Sequence, residues 1–445
     1  MHTDITYLVG SEETLKDIQK IPALPTFDDR IVGFLNELSR ALLSKTEYRS
    51  YVDLMSYGFW IRKSHLMKEK PRYEGYMRMG KGVTFHIAPS NVPVNFAVSM
   101  TSALLAGNAC IIRVSDKDFD QVRIITTEIG EILHKDEYKE LQKYICIIRY
   151  PHSKEITDRL SKICDIRIIW GGDRTIEEVR QSPLPPRGCE MTFADRHSLA
   201  IINVGEYARK SEEEKRQIAK DFYTDTYYSD QNACSSPRMV VWYNDSDEIC
   251  ITEKYPQRDE VNDSEEIPVI PTTTELVARN TFWRLLKDQI DEKYELQPVV
   301  AVDKLEKFAE LATDEELIRE MDRGIGEEGN RSALLIRLVD RDPLCMRVEL
   351  DYPTESLMDY KMLGGYFFEY MTNDMSSIVP VLGKQAQTVA YLGVDPEDIA
   401  SVIKEFGVRG VDRIVPIGDT MDLSFFWDGY DMIEEMSRRV DIHKV

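Results

Sequence analysis

The sequence predicts an α/β protein: an open, doubly wound parallel sheet, followed by a second α/β region. Three observations predict it. From residue 82 to residue 182, apolar runs of strand length alternate with amphipathic runs of helix length. Strands that alternate with helices pair in parallel through right-handed crossovers. The strand runs, YICIIRY for example, are apolar without polar alternation, as suits a sheet covered on both faces.

The elements follow in order. Up to about Lys81 the chain reads as mostly helical, with helical spacing in LKDIQK and FLNELSRALLSK. GVTFHIA is then a strand, and VNFAVSMTSALLAG a helix stopped at Gly107. ACIIRVS is a strand, FDQVRIITTEIGEILHK an amphipathic helix, YICIIRY a strand and KEITDRLSKI a helix. DIRIIWGG is a strand ending in two glycines, and RTIEEVRQS the helix after it. SPLPPRG breaks the pattern. HSLAIINV is another strand, and EEEKRQIAKDFYTDTYY a helix leading to Cys234. The part from about Pro268 to Ala386 reads as α/β with longer acidic helices, and GVDRIVPIGDT as a late strand and turn.

The bulk numbers bound the classes. A chain of 445 residues is too long for one ordinary core, so two or three domains are expected. Hydrophobic residues at 42% and charged residues at 30% match a folded, soluble protein. A formal net charge of −22 argues against a general nucleic-acid surface. Gly82 to Ile112 contains no Asp, Glu, Lys or Arg, but Pro89, Asn91, Pro93 and Asn95 interrupt it, so no membrane span is expected. No signal peptide is visible, and a reducing cytoplasm suits the scattered, odd set of seven cysteines. His65, His134, His152 and His197 have no metal-ligand spacing, so no metal is expected. Acidic runs such as RDEVNDSEE read as solvated loops.

Four places carry chemistry. Cys110, Cys146, Cys164 and Cys250 sit in or beside apolar runs and read as core packing. Cys234 sits instead among Asn232, Ser235, Ser236 and Arg238, a polar setting suited to a nucleophilic thiolate; the plain alternative is a loop cysteine without a role. In HIAPSNVP, Asn91 stands at the apex of a proline-bounded turn, where its amide can donate to an oxyanion or can cap the next helix. GNACIIRVSD ends the second strand with Arg113, Ser115 and Asp116. In a dinucleotide-binding sheet an acid there suits a ribose 2′-hydroxyl and an arginine a 2′-phosphate; otherwise this is a strand end with a helix cap. In WGGDRTIEE, Gly171 and Gly172 between strand and helix let backbone approach a phosphate, or form an ordinary tight turn.

These four places occur in an order that resembles the aldehyde dehydrogenase superfamily. There a Pro-x-Asn-x-Pro turn leads to an Ala-Gly-Asn strand that ends in a base. The chain is more closely similar to the acyl-CoA reductase family typified by the LuxC fatty-acid reductase of bacterial luminescence. That similarity lies at SNVP, IIWGGD, DQNACSSPR, GVDRIVPIGD and WDGYD, and spans roughly Lys81 to Val440.

The resemblance implies an aldehyde-dehydrogenase-like fold with a Rossmann-type cofactor domain and an α/β catalytic domain. Residues 1–200 would hold the helical N-terminus and dinucleotide-binding domain, 201–415 the thiol domain, and 416–445 a segment packing back on the cofactor domain or an oligomer interface. It implies Cys234 as acyl-accepting nucleophile and Asn91, with the Cys234 backbone N–H, as oxyanion hole. Arg113, Ser115 and Asp116 would meet the adenosine ribose, and Gly171 and Gly172 the cofactor phosphates. The activity implied is reduction of a long-chain acyl-CoA or other acyl thioester to the aldehyde. NADPH is the expected cofactor and NADH the alternative, since Arg113 and Asp116 pull in opposite directions. An acyl-activating synthetase is the implied partner, and a homo-oligomer the implied assembly.

One departure is informative. Oxidising members carry a glutamate that opens a Glu-Leu-Gly-Gly-Lys-Ser segment and activates water. The matching segment here is FADRHS, with Phe193 at the glutamate's place and Glu190 and Asp195 as the nearest acids. The competing readings are a hydrolytic aldehyde dehydrogenase, an acyltransferase or thioesterase using the same cysteine, and a non-catalytic scaffold.

Overall fold

The computed structural model describes residues 5–244, 274–325 and 335–443. Cys250 and the acidic run at 258–266 lie outside the described residues. The chain forms two compact units: Met1–Asp195 with Asp422–Val445, and Arg196–Met421.

The strands of the first unit, before residue 196, are β1 (Thr6–Val9), β2 (Met77–Gly80), β3 (Val83–Ile87), β4 (Ala109–Arg113), β5 (Ile145–Arg149), β6 (Ile166–Trp170) and β7 (Cys189–Phe193). All but β2 form one sheet in the order β1-β5-β4-β3-β6-β7, parallel except for β1. The order runs outward from β3 to β5, then reverses through β6 to β7. The fold is therefore doubly wound, with its switch point between β3 and β6. Helices Asn95–Leu105, Asp120–Leu133, Lys154–Ile163 and Asp173–Arg180 make the crossovers. All residues of β3 and β6 are buried, which is why their sequences lack alternation. Gly107 ends its helix with φ of +94°, as its sequence position implies.

The N-terminal part is mostly helical, as its spacing predicts, with two short strands added. It contains helices Asp29–Ser44, Val52–Trp60 and Lys63–Glu69, but also β1 and β2. β1 is four residues long, too short to display a period, and long-range pairing of Thr6 with Arg149 defines it. β7 was likewise not recognisable as a strand. It lies at a sheet edge, where Glu190 and Thr192 are only half-buried. The Ser437–Val440 strand pairs antiparallel with β2, and Phe425 packs on Trp60 at 4.7 Å.

The second unit holds β8 (His197–Asn203), β9 (Pro237–Tyr243), β10 (Ile336–Asp340), β11 (Met346–Leu350), β12 (Tyr366–Thr372), β13 (Ala386–Leu392) and β14 (Arg413–Pro416). Their order is β10-β11-β12-β9-β8-β13-β14, parallel except for β10. Apolar cores lie on both faces, one around Phe222, Trp242 and Phe282, the other around Val348, Phe368 and Ile399. Buried Glu369 on β12 accepts from Trp242 Nε1 (2.8 Å), Trp283 Nε1 (2.8 Å) and Arg279 Nε (2.7 Å). Burial opposes its charge, but the Arg279 and Arg347 guanidinia outweigh that and hold the carboxyl below its ordinary range.

Among the described residues no helix is long and apolar enough to cross a membrane. The uncharged stretch from Gly82 to Ile112 is β3, a proline turn, a buried helix and most of β4.

Candidate active site

In the first unit, β3 is the parallel neighbour of both β4 and β6, with Ile87 in register with Arg113 and with Ile169. The segments that follow these three strands therefore leave from one edge of the sheet. That edge, at the switch point, is where open α/β sheets bind ligands. It brings together Asn91, the Arg113–Asp116 turn and Gly171–Gly172. Beneath it, His86 bonds Ser99 Oγ (2.7 Å) and Thr84 Oγ1 (2.8 Å), and Trp170 Nε1 donates to Ser99 Oγ (3.1 Å). Burial holds the His86 imidazole at about 3, so it is a neutral strut between strand and helix.

Asn91 is exposed. It does not cap the following helix, whose N-cap is Val94 with no side-chain bond. Arg113 is largely buried. Its guanidinium lies 4.9 Å from the Tyr150 ring centre, donates to Tyr150 O at 3.3 Å and sits 3.8 Å from the Asp116 carboxylate. Ser115 Oγ accepts from Lys117 N (3.2 Å), and the next helix, Asp120–Leu133, has Phe119 as its N-cap and no side-chain cap. Gly172 is the N-cap of helix Asp173–Arg180, and a Cβ there would meet open space. Gly171 N donates to Phe193 O (3.2 Å). Asp173 already places one negative charge in that helix's first turn.

Phe193 is buried and stacks on Trp170, with ring centres 3.6 Å apart and planes 4° from parallel. Glu190 pairs with Arg167 (Nε 2.8 Å) and Arg180 (Nε 2.7 Å). Its carboxylate is thus committed to two guanidinia rather than open to activate water.

Cys234 belongs to the second unit. Helix Glu212–Thr226 opens with a Ser211/Glu214 capping box and ends in a tight turn, Tyr227–Ser229. Asp230 and Gln231 then take left-handed conformations, φ 53° and 52°. A turn closed by Ser236 N to Ala233 O (3.1 Å) holds Cys234, and β9 begins at Pro237. Ser198 Oγ, on β8, donates to Cys234 O (2.7 Å) and accepts from Thr388 N (3.1 Å) on β13.

The polar neighbours that single out Cys234 in the sequence build this turn. Asn232 Nδ2 donates to Ser229 O (3.1 Å), Ser236 Oγ meets Ser229 Oγ (3.2 Å), and Arg238 Nη1 donates to Met362 O (2.6 Å). Cys234 and Cys189, the latter on edge strand β7, are half-buried, whereas Cys110, Cys146, Cys164 and Cys345 are buried. Burial pushes those four thiols up to about 12.

Sequence reasoning missed three supporting residues: Ser198, Gln231 and Asp225. Asp225, fully buried near the end of the helix before the turn, accepts from Gly418 N (2.6 Å) and Thr420 N (3.2 Å). Burial pushes its carboxyl up to about 7. Its place on the helix's buried face, with Ile218 and Phe222, gave no sign of these partners, 193 and 195 residues away.

A sequence model of the family described as acyl-CoA reductase (LuxC) matches residues 7–257. That is more than half of the chain. The chain belongs to the LuxC acyl-CoA reductase family. The matched span of this LuxC-family chain contains Asn91, Arg113, Gly171, Gly172 and Cys234, but not the C-terminal GVDRIVPIGD and WDGYD stretches.

It is similar to the long-chain acyl-protein thioester reductase of Aliivibrio fischeri, 27% identical over 57% of this chain and 52% of that one. It is also similar to a Photobacterium leiognathi protein of the same description, 24% identical over 43% and 39%. The matches thus span about half, or less, of the relatives' own length. Among solved structures it is similar to aldehyde dehydrogenase 21 from Physcomitrella patens in complex with succinate (TM-score 0.60, 11% identity, 96% of this chain and 87% of that one). It is similar too to a glyceraldehyde-3-phosphate dehydrogenase from Methanocaldococcus jannaschii complexed with NADP (TM-score 0.55, 12% identity, 96% and 91%). The fold is that of the aldehyde dehydrogenases.

Proposed function

We propose that this chain reduces an acyl thioester to the aldehyde, with a nicotinamide cofactor as reductant and Cys234 as the acyl carrier. The observation that carries the reading is the setting of Cys234: a half-buried thiol on a turn tied by Ser198, in a family of acyl-CoA reductases. The thiolate of Cys234 attacks the thioester carbonyl, and the CoA or carrier thiolate leaves. Asn91 Nδ2 and the Cys234 N–H donate to the oxyanion of each tetrahedral state. When bound, the reduced cofactor supplies the hydride. Carbon–sulfur cleavage then returns the thiolate and releases the aldehyde. One thioester, one hydride and one proton yield one aldehyde and one thiol.

The first unit fits the cofactor. Exposed Asn91, the open space at Gly172 and the Arg113–Asp116 pair share one sheet edge. Arg113 would hold a 2′-phosphate and Asp116 a 2′-hydroxyl, with Ser115 supporting the ribose and Gly171–Gly172 the phosphates. NADPH is the favoured form because Arg113 is the side chain fixed in place by Tyr150. Phe193 supports reduction over hydrolysis: it aligns with the glutamate of the oxidising members and stacks on Trp170, and nearby Glu190 is occupied by arginines. The relatives' description names an acyl-protein thioester, so a protein-bound thioester from an acyl-activating synthetase is the second donor to test.

The test is intact-protein mass after mixing with hexadecanoyl-CoA, without nicotinamide. An acyl adduct on Cys234 that NADPH discharges as aldehyde is the expected result. An adduct that only hydrolyses would favour thioesterase or transfer chemistry. No adduct from CoA or protein thioesters would overturn the proposal.

A further inference from the structure

Gln231 is fully buried three residues before Cys234 and is held in the left-handed region, which costs a non-glycine residue energy. Its side-chain amide is saturated. Oε1 accepts from Gly365 N (2.7 Å) and Tyr366 N (3.2 Å), while Nε2 donates to Pro237 O (3.1 Å) and reaches Tyr366 O (3.5 Å). Its backbone N–H donates to Thr226 O (2.9 Å), and its carbonyl accepts from Arg238 Nη2. One residue thus joins the end of the helix before the turn, the first residue of β9 after it, and the start of β12. The partner segment is shaped to match. Gly365 has φ +84°, and a Cβ there would lie 2.3 Å from Leu344 O. Gly364 N donates to Asp230 O (3.3 Å), and Tyr294 Oη bonds the Asp230 carboxylate.

We infer that Gln231 is the positioning residue for Cys234, fixing the nucleophile's turn to the Gly364–Tyr366 segment so that the sulfur meets the acyl carbonyl in one orientation. This rests on the proposed role of Cys234. A glutamine there does what a smaller polar residue cannot. Its two amide ends join the start of β9, through Pro237 O, to the start of β12, through the Gly365 and Tyr366 N–H groups, and backbone groups left unpaired in such a place are costly. The geometric strain at Asp230 and Gln231 is retained because this bridge over-determines it.

The experiment compares the full wild-type chain with Gln231→Glu and Gln231→Met. Glutamate keeps the shape but turns an oxygen toward the Pro237 and Tyr366 carbonyls; methionine removes the bonds. Rapid-quench acylation by hexadecanoyl-CoA gives the rate at saturation and the half-saturating concentration. Iodoacetamide alkylation of Cys234 is followed against pH, and thermal melts report folding. The expected result is a loss of about 100-fold in saturated acylation for Gln231→Glu, with half-saturation within about twofold of wild type. Trp242→Phe, which removes one bond to Glu369 in the same unit, serves as a destabilised control and keeps its acylation rate. Folded Gln231 variants that acylate at the wild-type rate overturn the inference.

If wild type loads no thioester, the proposed function fails on its own, and the alkylation arm still decides this point. Identical alkylation rates and pH profiles in wild type and variants would overturn it. If neither variant folds, hydrogen exchange in wild type replaces them. The amides of Gln231, Asn232 and Ser236, which donate within the turn and to Thr226 O, should be as protected as those of Gly365 and Tyr366. Exchange of these three at the rate of exposed loops would overturn the inference.

Discussion

Two short polar turns carry the proposed chemistry, and they are built in opposite ways. The turn after β3 is stiffened by Pro89 and Pro93 and leaves Asn91 exposed. The turn before β9 has only Pro237 at its end, and its conformation comes from elsewhere. Ser198, Gln231, Asn232 and Arg238 tie it to β8, β12 and the preceding turn. A group that only donates a hydrogen bond can be placed by local covalent stiffness. A group that forms and breaks a covalent bond needs its turn held from several sides.

The sharpest break of this comparison is Cys234→Ala. It should remove the acyl adduct and the reductase activity altogether, read by intact mass and aldehyde release. Cys110→Ala, at a buried strand position, should keep both and cost about 1 kcal/mol in a denaturant melt. Next is Asn91→Ala. On the proposed oxyanion role it should lower the rate about 10²–10³-fold, while stability stays within about 0.5 kcal/mol because the side chain is exposed. Equal loss of rate and melting temperature would instead mark Asn91 as structural.

A smaller effect is expected at Arg113. Arg113→Leu should shift the ratio of NADPH to NADH use toward NADH by about tenfold, roughly the worth of one charged hydrogen bond. An unchanged ratio would remove Arg113 from the 2′-phosphate role.

The smallest effect on rate is expected at Asp225, which anchors the helix before the Cys234 turn to the Gly418–Thr420 turn. Its folded value of about 7 lies above the unfolded value of about 4. Between those values the folded chain keeps a proton that the unfolded chain has released. The neutral carboxyl's contribution is therefore complete below about pH 4 and is lost as pH rises through about 7. Asp225→Asn is neutral throughout. Relative to it, wild type should lose roughly 2–4 kcal/mol between pH 4 and 7 in urea melts. A constant difference across that range would refute the buried proton.

Much of the first sheet was legible because buried parallel strands write themselves as uninterrupted apolar runs. Helix Lys154–Ile163 lies where its residues predict it. β1 and β7 were not legible, since edge strands are short, half-polar and defined by distant partners. At the sites, Cys234 stood out by being polar-flanked, but its flanking residues turned out to support the turn's backbone. Gln231 and Asp225 gave no local signal: what matters about each is the backbone group it meets more than a hundred residues away.

By itself, the sequence determined the α/β class, the doubly wound order of helices and strands, and the proline-bounded turn that holds Asn91. These depend on periodicity, proline and residue type, which are local properties. The tertiary structure alone decided that β3, β4 and β6 share one edge, that Phe193 stacks on Trp170, and that Gln231 binds the Cys234 turn to β12. Those depend on pairing between residues far apart in the chain, where burial turns an ordinary amide or carboxyl into a fixed support.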